Sequence, residues 1–335
     1  MNKNNKEVKR IIGIGNALVD VLARIEDDAV ISEMGLLRGG MLLVDEPSFH
    51  KLDGYLQKLN PHKASGGSAH NTIQALAHMG ATPGFIGKIG NDDYGRFLES
   101  NDRRIGVVPF FTVDSVLPTG VASTFISKDA QRTFGTFLGA ASTVHASDIH
   151  PEQLDGYDLL YIEGYLTQDH DMIDRVAKEA KQKGMHVALD LASYNFIEND
   201  REFFSHLLHD YVDLVFANEE ESRAFTGDSD ATKSVAELGE ICGEAVVKIG
   251  AGGAYAYRNG EVSFAQASHV DKVIDTTAAG DFFAGGYLWG ITKGCDTKTC
   301  LELGNLLGGA VIQVYGTDIA DASWDEIRKK AAELL

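Results

Sequence analysis

The chain of 335 residues carries only three cysteines, Cys242, Cys295 and Cys300. They form neither an even framework nor a Cys-x-x-Cys pair, so no disulfide or thiolate zinc site is expected, and they read as small core residues in a reducing compartment. Basic residues are scarce. Thirty Lys+Arg against 49 Asp+Glu leave a net charge of −19, and such a field repels nucleic-acid phosphates and anionic lipid headgroups. No nucleic-acid or membrane partner is expected. No apolar run approaches the length of a membrane span. The hydrophilic start, Met1 to Arg10, runs into an apolar stretch broken at Asn16 and Asp20, without the features of a signal peptide, which points to the cytoplasm. The eleven histidines lack His-Glu-x-x-His or paired spacing, so a metallohydrolase finds no support. No repeat, Pro/Ser tract or charge block divides the chain.

What is present describes a folded globular protein, 44% hydrophobic and 24% charged. Glycine is in excess, 36 of 335 residues against roughly 7% in average proteins, and it is clustered where backbone must approach something closely. Ile11–Gly15 reads as a buried strand, 19–25 as an alternating one, and Met41–Val44 as a third. Pro109–Val113, Val121–Ser127 and Thr133–Leu138 are further strands, the last two joined as a hairpin through Lys128-Asp129-Ala130-Gln131. A helix spans Ser68–Met79 and stops at Gly80. Beyond residue 140, strands 159–162, 187–191 and 214–217 alternate with helices, which builds parallel βαβ units. These elements predict one α/β domain, a doubly wound and mostly parallel sheet flanked by helices. Its core is 1–15, 47–107 and 139–335. A small lid of antiparallel strands, drawn from 16–46 and 108–138, covers the carboxyl ends of the core strands, where ligands bind.

Three segments can carry chemistry. Asp275-Thr276-Thr277-Ala278-Ala279-Gly280-Asp281 opens into an apolar helix. The first amides of a helix lack internal partners and the dipole adds positive charge, so Ala279, Gly280 and Asp281 can grip a phosphate. Asp281 would then lie beside that phosphate to accept a proton from an attacking hydroxyl; alternatively it only stabilises the first turn. In Ser65-Gly66-Gly67-Ser68-Ala69-His70-Asn71, the glycines admit close approach to a polyol and Asn71 offers a donor and an acceptor; the bland alternative is a glycine turn. Asn16 and Asp20 stand at the lid edge of the first strand, where a carboxylate suits vicinal hydroxyls. Asn218-Glu219-Glu220-Glu221 follows a strand, with Asn218 and Glu221 on one helix face, able to organise magnesium through water or simply to complement the helix dipole. Gly13-x-Gly15-x-x-Leu18 lacks the third glycine of a dinucleotide fingerprint, and 227–234 places Thr232 where a P-loop needs glycine. A nicotinamide-dependent oxidoreductase is thereby disfavoured, and an intact Asp281 disfavours a binding protein without activity.

In order and spacing, the glycine pair with Asn71, the Asn-x-x-Glu at 218–221 and the Asp-Thr-Thr-Ala-Ala-Gly-Asp segment resemble the ribokinase-like (PfkB) sugar and nucleoside kinases over nearly the whole chain. Gly15-Asn16-Ala17-Leu18-Val19-Asp20, Arg132 ahead of 136–141, and Tyr161–Thr167 look most like the adenosine-kinase-like branch. The resemblance implies an ATP-dependent kinase acting on a primary hydroxyl of a nucleoside, with a sugar such as ribose or fructose as the nearest rival. It implies that Asn16, Asp20, Gly66, Gly67 and Asn71 hold the acceptor, that Asp281 is the base, and that Arg132 reaches from the lid to the transferred phosphate. It also implies ATP with Mg2+, with Asn218, Gly250 and Asn305 on the nucleotide side, Glu221 holding magnesium through water, and a monovalent cation such as K+ near Asp275 and Thr277. The molecule is expected as a monomer or homodimer. One departure stands out: Ala278 occupies a position where the family carries glycine. If its φ is positive, alanine there costs about 1 kcal/mol.

Overall fold

A computed structural model describes residues 7–129 and 131–335. Residues 1–6 of the hydrophilic start and Ala130 of the hairpin turn lie outside the described residues. Nine strands form one sheet in the order 261–265, 254–258, 244–248, 214–218, 186–190, 159–163, 11–14, 84–90 and 108–114. All neighbours are parallel except the pairs made by 254–258 with 244–248 and 261–265.

Strands such as Leu159–Glu163, His186–Asp190 and Leu214–Asn218 are near-continuous apolar runs because both faces are covered. Their side chains alternate between two cores. Ile11, Tyr161, Phe216 and Val246 pack with the helices Ser68–His78, Ala279–Thr292 and Thr297–Val311, while Ile12, Leu160, Val215 and Val247 pack with His170–Gln182, Arg201–Asp210 and Ala231–Cys242. Among the described residues, no helix is long and apolar enough to cross a membrane.

A second sheet of five strands forms the lid, in the order 41–43, 132–137, 120–126, 18–24 and 62–66. The expected hairpin is there, with Ile126 opposite Arg132 and Val121 opposite Phe137. The helix Glu46–Leu56 closes the lid's outer face, burying Phe49, Leu52 and Leu56. Leu52 fills the space left by Gly135, where an added Cβ would lie 2.5 Å from its Cδ1.

Two segments change sides relative to the sequence reading. Val108–Asp114, expected in the lid, is the edge strand of the large sheet and runs parallel to Gly84–Gly90. The cause is the intervening helix Asp93–Ile105, capped by Asp92 accepting from the Gly95 amide, which makes the segment a βαβ crossover; Pro109 is tolerated because an edge strand needs fewer amide donors. Conversely His62–Gly66, too polar to read as a strand, pairs antiparallel with 18–22 in the lid. Nor is the lid purely antiparallel, since 18–24 runs parallel to 120–126 and 41–43 parallel to 132–137.

The chain crosses from one half of the sheet to the other between the adjacent parallel strands 11–14 and 159–163. A crevice opens at the carboxyl ends of the strands at such a reversal, and here the lid strand 18–24 starts directly above it.

Candidate active site

Successive core strands end in polar groups on this edge: Glu163, Asp190, Asn218 and Lys248, with Glu163 beside Asp190 and Asn218 beside Lys248 in register. Across the reversal point, Glu163 accepts from the Asn16 side-chain amide at 2.5 Å and from the backbone amides of Asn16 at 3.3 Å and Ala69 at 2.9 Å. This carboxylate therefore locks the end of the first strand to the start of the Ser68–His78 helix. Burial pushes its pKa up to about 7, against the lowering effect of those donors.

The two glycines of the following turn are dictated by geometry. Gly67 has φ +102, and a Cβ there would lie 2.0 Å from the Asn16 carbonyl; at Gly66 it would lie 2.5 Å from an Asp20 carboxylate oxygen. Asp20 thus faces the turn across the cleft. It makes no hydrogen bond to the described residues, and burial pushes its pKa up to about 7, opposed by Arg132. Asn71 donates to Asp281 Oδ2 at 2.9 Å, and its own Oδ1 is buried without a partner.

Asp281 sits in the first turn of Ala279–Thr292, where Ser68 Oγ donates to its Oδ1 at 2.7 Å. Burial raises its pKa to about 6, with Asn71 and Ser68 pulling the other way and Asp190 adding to the rise. A carboxylate so tuned is a better proton acceptor near neutral pH than an ordinary aspartate. Ala278, the N-cap, has φ +60, so the suspected left-handed alanine is real. The Ala279 amide leans on the Thr276 carbonyl at 3.3 Å, which leaves the amides of Gly280 and Asp281 as the first-turn donors without helical partners. Lys248 stands beside these amides: its ammonium lies 3.1 Å from where a Cβ on Gly280 would be, and 3.2 Å from Asp190.

Beside it opens a cleft of about 1030 Å³ whose lining includes Asn218, Lys248, Gly250, Gly280, Phe283 and Asn305, large enough for a nucleotide. Asn305 spends its amide on the carbonyls of Ala265 and Gln266, holding the wall of the cleft. Asn218 and Glu221 form a reciprocal capping box at the start of Glu219–Thr226. Glu221 is buried, and that burial, with Asp190 adding to the rise and Lys248 opposing it, pushes its pKa to about 7. Both of its oxygens already accept from Asn218, so a divalent cation would reach it only through water.

From the lid, Arg132 is buried and paired with Asp275 at 2.7 Å, while its Nε and Nη2 are buried without partners. Asp275 also accepts from Thr277 N, Thr277 Oγ1 and Gly316 N. Its carboxylate is thus held within the protein. Phe137 stacks on Phe49 in the lid core at 4.9 Å, whereas Phe134 lies on the cleft-side face with Asp20 and Thr136.

The structure therefore brings Asn16, Asp20, Gly66, Gly67, Asn71 and Asp281 together at the carboxyl ends of the strands, and Asn218, Gly250 and Asn305 to the cleft beside them. Glu163, Ser68, Asp190 and Lys248 escaped functional notice in the sequence. The signal available for three of them was a charged residue terminating an otherwise apolar strand.

A half-buried carboxylate at a helix start, first-turn amides with a lysine beside them and the adjoining cleft fit a small-molecule kinase of ribokinase-like architecture. The pattern of the pfkB family carbohydrate kinases matches residues 45–324, and the chain belongs to that family, whose members are ATP-dependent carbohydrate and nucleoside kinases. Within it the chain is adenosine-kinase-like. It is 26% identical over 342 residues to adenosine kinase of Saccharomyces cerevisiae, covering 91% of this chain and 95% of that one. The crystal structure of adenosine kinase from Sinorhizobium meliloti matches with a TM-score of 0.84 and 29% identity, over 98% of this chain and all (100%) of the other. A probable sugar kinase protein from Rhizobium etli CFN 42 matches with a TM-score of 0.85 and 28% identity over 98% and 99% of the two chains.

Two outcomes follow. Asp281→Asn should lower turnover at least ~100-fold. Because the folded protein holds this group's pKa above its unfolded value, the ionised side chain weakens the fold as pH rises from about 4 through 6; the variant should therefore melt above wild type at pH 7.5, with the gap shrinking toward pH 5. Ala278→Gly should stabilise the protein by about 1 kcal/mol, read from thermal or urea melts.

Proposed function

We propose that the protein transfers a phosphoryl group from ATP to a primary hydroxyl of a ribose-containing nucleoside. The observation that carries this reading is the set of unpartnered polar groups around Asp281. The half-buried Asp20 and the buried Asn71 Oδ1 are acceptors waiting for hydroxyl donors, and Arg132 Nε and Nη2 are buried donors waiting for an anion. Buried polar atoms without partners are costly, and a polyol with a phosphate arriving beside it satisfies all of them. The similarity to adenosine kinases along nearly the whole chain is in keeping with a nucleoside, beside a match of like extent to a probable sugar kinase.

In this mechanism the acceptor hydroxyl gives its proton to the Asp281 carboxylate as its oxygen bonds to the γ-phosphorus, and the bond to the bridging oxygen breaks to release ADP. Asp20 and Asn71 hold the ribose so that the hydroxyl points at Asp281. The amides of Gly280 and Asp281, with Lys248, stabilise charge on the transferring group. Glu221 and Asn218 would hold magnesium through water; bound with ATP, that ion neutralises charge building on the phosphates. Arg132 closes over the group from the lid.

Release of ADP, followed across adenosine, inosine, guanosine, ribose and fructose, tests the reading. A nucleoside should give the highest kcat/KM; preference for a free sugar would overturn it. Asp20→Ala should mainly raise the acceptor KM and abolish discrimination against the 2′-deoxynucleoside. Glu221→Gln should raise the magnesium concentration for half-maximal rate; an unshifted titration would leave Glu221 with its capping role alone.

A further inference from the structure

Behind the glycine turn lies a pair of ionisable groups that no step above uses. His70, in the Ser68–His78 helix, and Asp102, in the Asp93–Ile105 helix, are both 0% exposed. The imidazole Nε2 is 2.8 Å from Asp102 Oδ1, and Nδ1 is 3.1 Å from the Gly66 carbonyl oxygen. A carbonyl can only accept, so Nδ1 must carry a proton and donate it to Gly66. The ring is fixed in that orientation by stacking on Phe85 at 4.4 Å and by the edge of Phe111. The charged groups acting on it are Asp102, Glu163 and, across Gly66, Asp20.

Stability alone does not account for such a pair, since replacing a buried ionic pair with packed apolar residues is often neutral or stabilising. What the pair does do is hold one carbonyl. Gly66 is the residue whose Cα backs onto the Asp20 carboxylate, and Gly67, next to it, leads into Asn71. The same helix gives a second tie to this strand end, with Asn101 donating to Ser65 Oγ at 2.8 Å.

We infer that His70 and Asp102 form a positioning pair, in which the Nδ1–H clamps the Gly66 carbonyl and so fixes the spacing between Asp20 and Asn71 that sets acceptor affinity. Neither side chain touches the acceptor. The inference rests on the reading of Asp20 and Asn71 as the acceptor-holding groups.

Two double variants test it without stranding a buried charge. His70→Leu with Asp102→Leu removes the clamp; His70→Asn with Asp102→Leu keeps an amide donor where Nδ1 stood. The first should raise the acceptor KM about tenfold, the scale expected for a lost hydrogen bond to a buried carbonyl, with the ATP KM and kcat changed less than about twofold, and the second should recover most of that loss. Equal acceptor KM values in the two double variants, or acceptor and ATP KM rising together, would overturn the inference. Should either double variant fail to fold, isosteric Asp102→Asn weakens the donated bond by leaving the imidazole neutral and should raise acceptor KM about threefold; an unchanged value counts against the pair. Asp20→Ala measured alongside separates the two claims. If it raises acceptor KM and the pair's variants do not, the inference falls and the functional reading stands; if it too has no effect, both fall.

Discussion

The contact on which the site depends is the seating of the half-buried Asp281 carboxylate between Ser68 Oγ and the Asn71 side-chain amide. It joins the starts of two helices that the chain separates by more than 200 positions, and it is reinforced where Thr72 Oγ1 donates to the Asp281 carbonyl at 3.0 Å. Close packing makes it feasible: a Cβ on Gly285 would lie 2.7 Å from Ala75 Cβ, so the helices meet through small residues. With the helices fixed, the polar groups at the two helix starts face one another.

The same burial sets the electrostatics. Asp20, Glu163, Glu221 and Asp281 all have raised pKa values, each with burial as the main cause, and the cations set among them are Arg132 and Lys248. Acidic groups so placed favour positive charge and hydroxyl donors beside them, which on the proposed reading a polyol with a metal-bound triphosphate would supply. The left-handed Ala278 belongs to the same economy, since the fold tolerates backbone strain at the entrance to the anion site.

Much of this was legible in the chain. The βαβ alternation after residue 140 follows from apolar runs of strand length, and the two glycine-rich turns announce close backbone approach, as the Gly66 and Gly67 geometry bears out. The helix Asp93–Ile105 was not legible. With buried positions confined to Gly95, Leu98 and Asp102, its polar sequence reads as a loop, and missing it moved the strand 108–114 into the lid. His62–Gly66 failed for the opposite reason, since a lid edge strand has little to bury and its first residues are exposed. Site residues such as Glu163 and Lys248 gain meaning only when neighbouring strand ends are placed side by side, which no local pattern encodes. The Arg132–Asp275 pair likewise joins positions far apart in the chain.

The central claim is that a half-buried carboxylate, Asp281, accepts the acceptor's proton. The pH dependence of kcat/KM for the preferred nucleoside, at saturating ATP and magnesium, tests it most directly. The rate should rise with pH along an acid limb whose midpoint lies between about 6 and 7, because Asp281 must be ionised to act and Asp20 and Glu163 titrate with it. A rate flat down to pH 5, as an ordinary solvent-exposed aspartate would give, would contradict it.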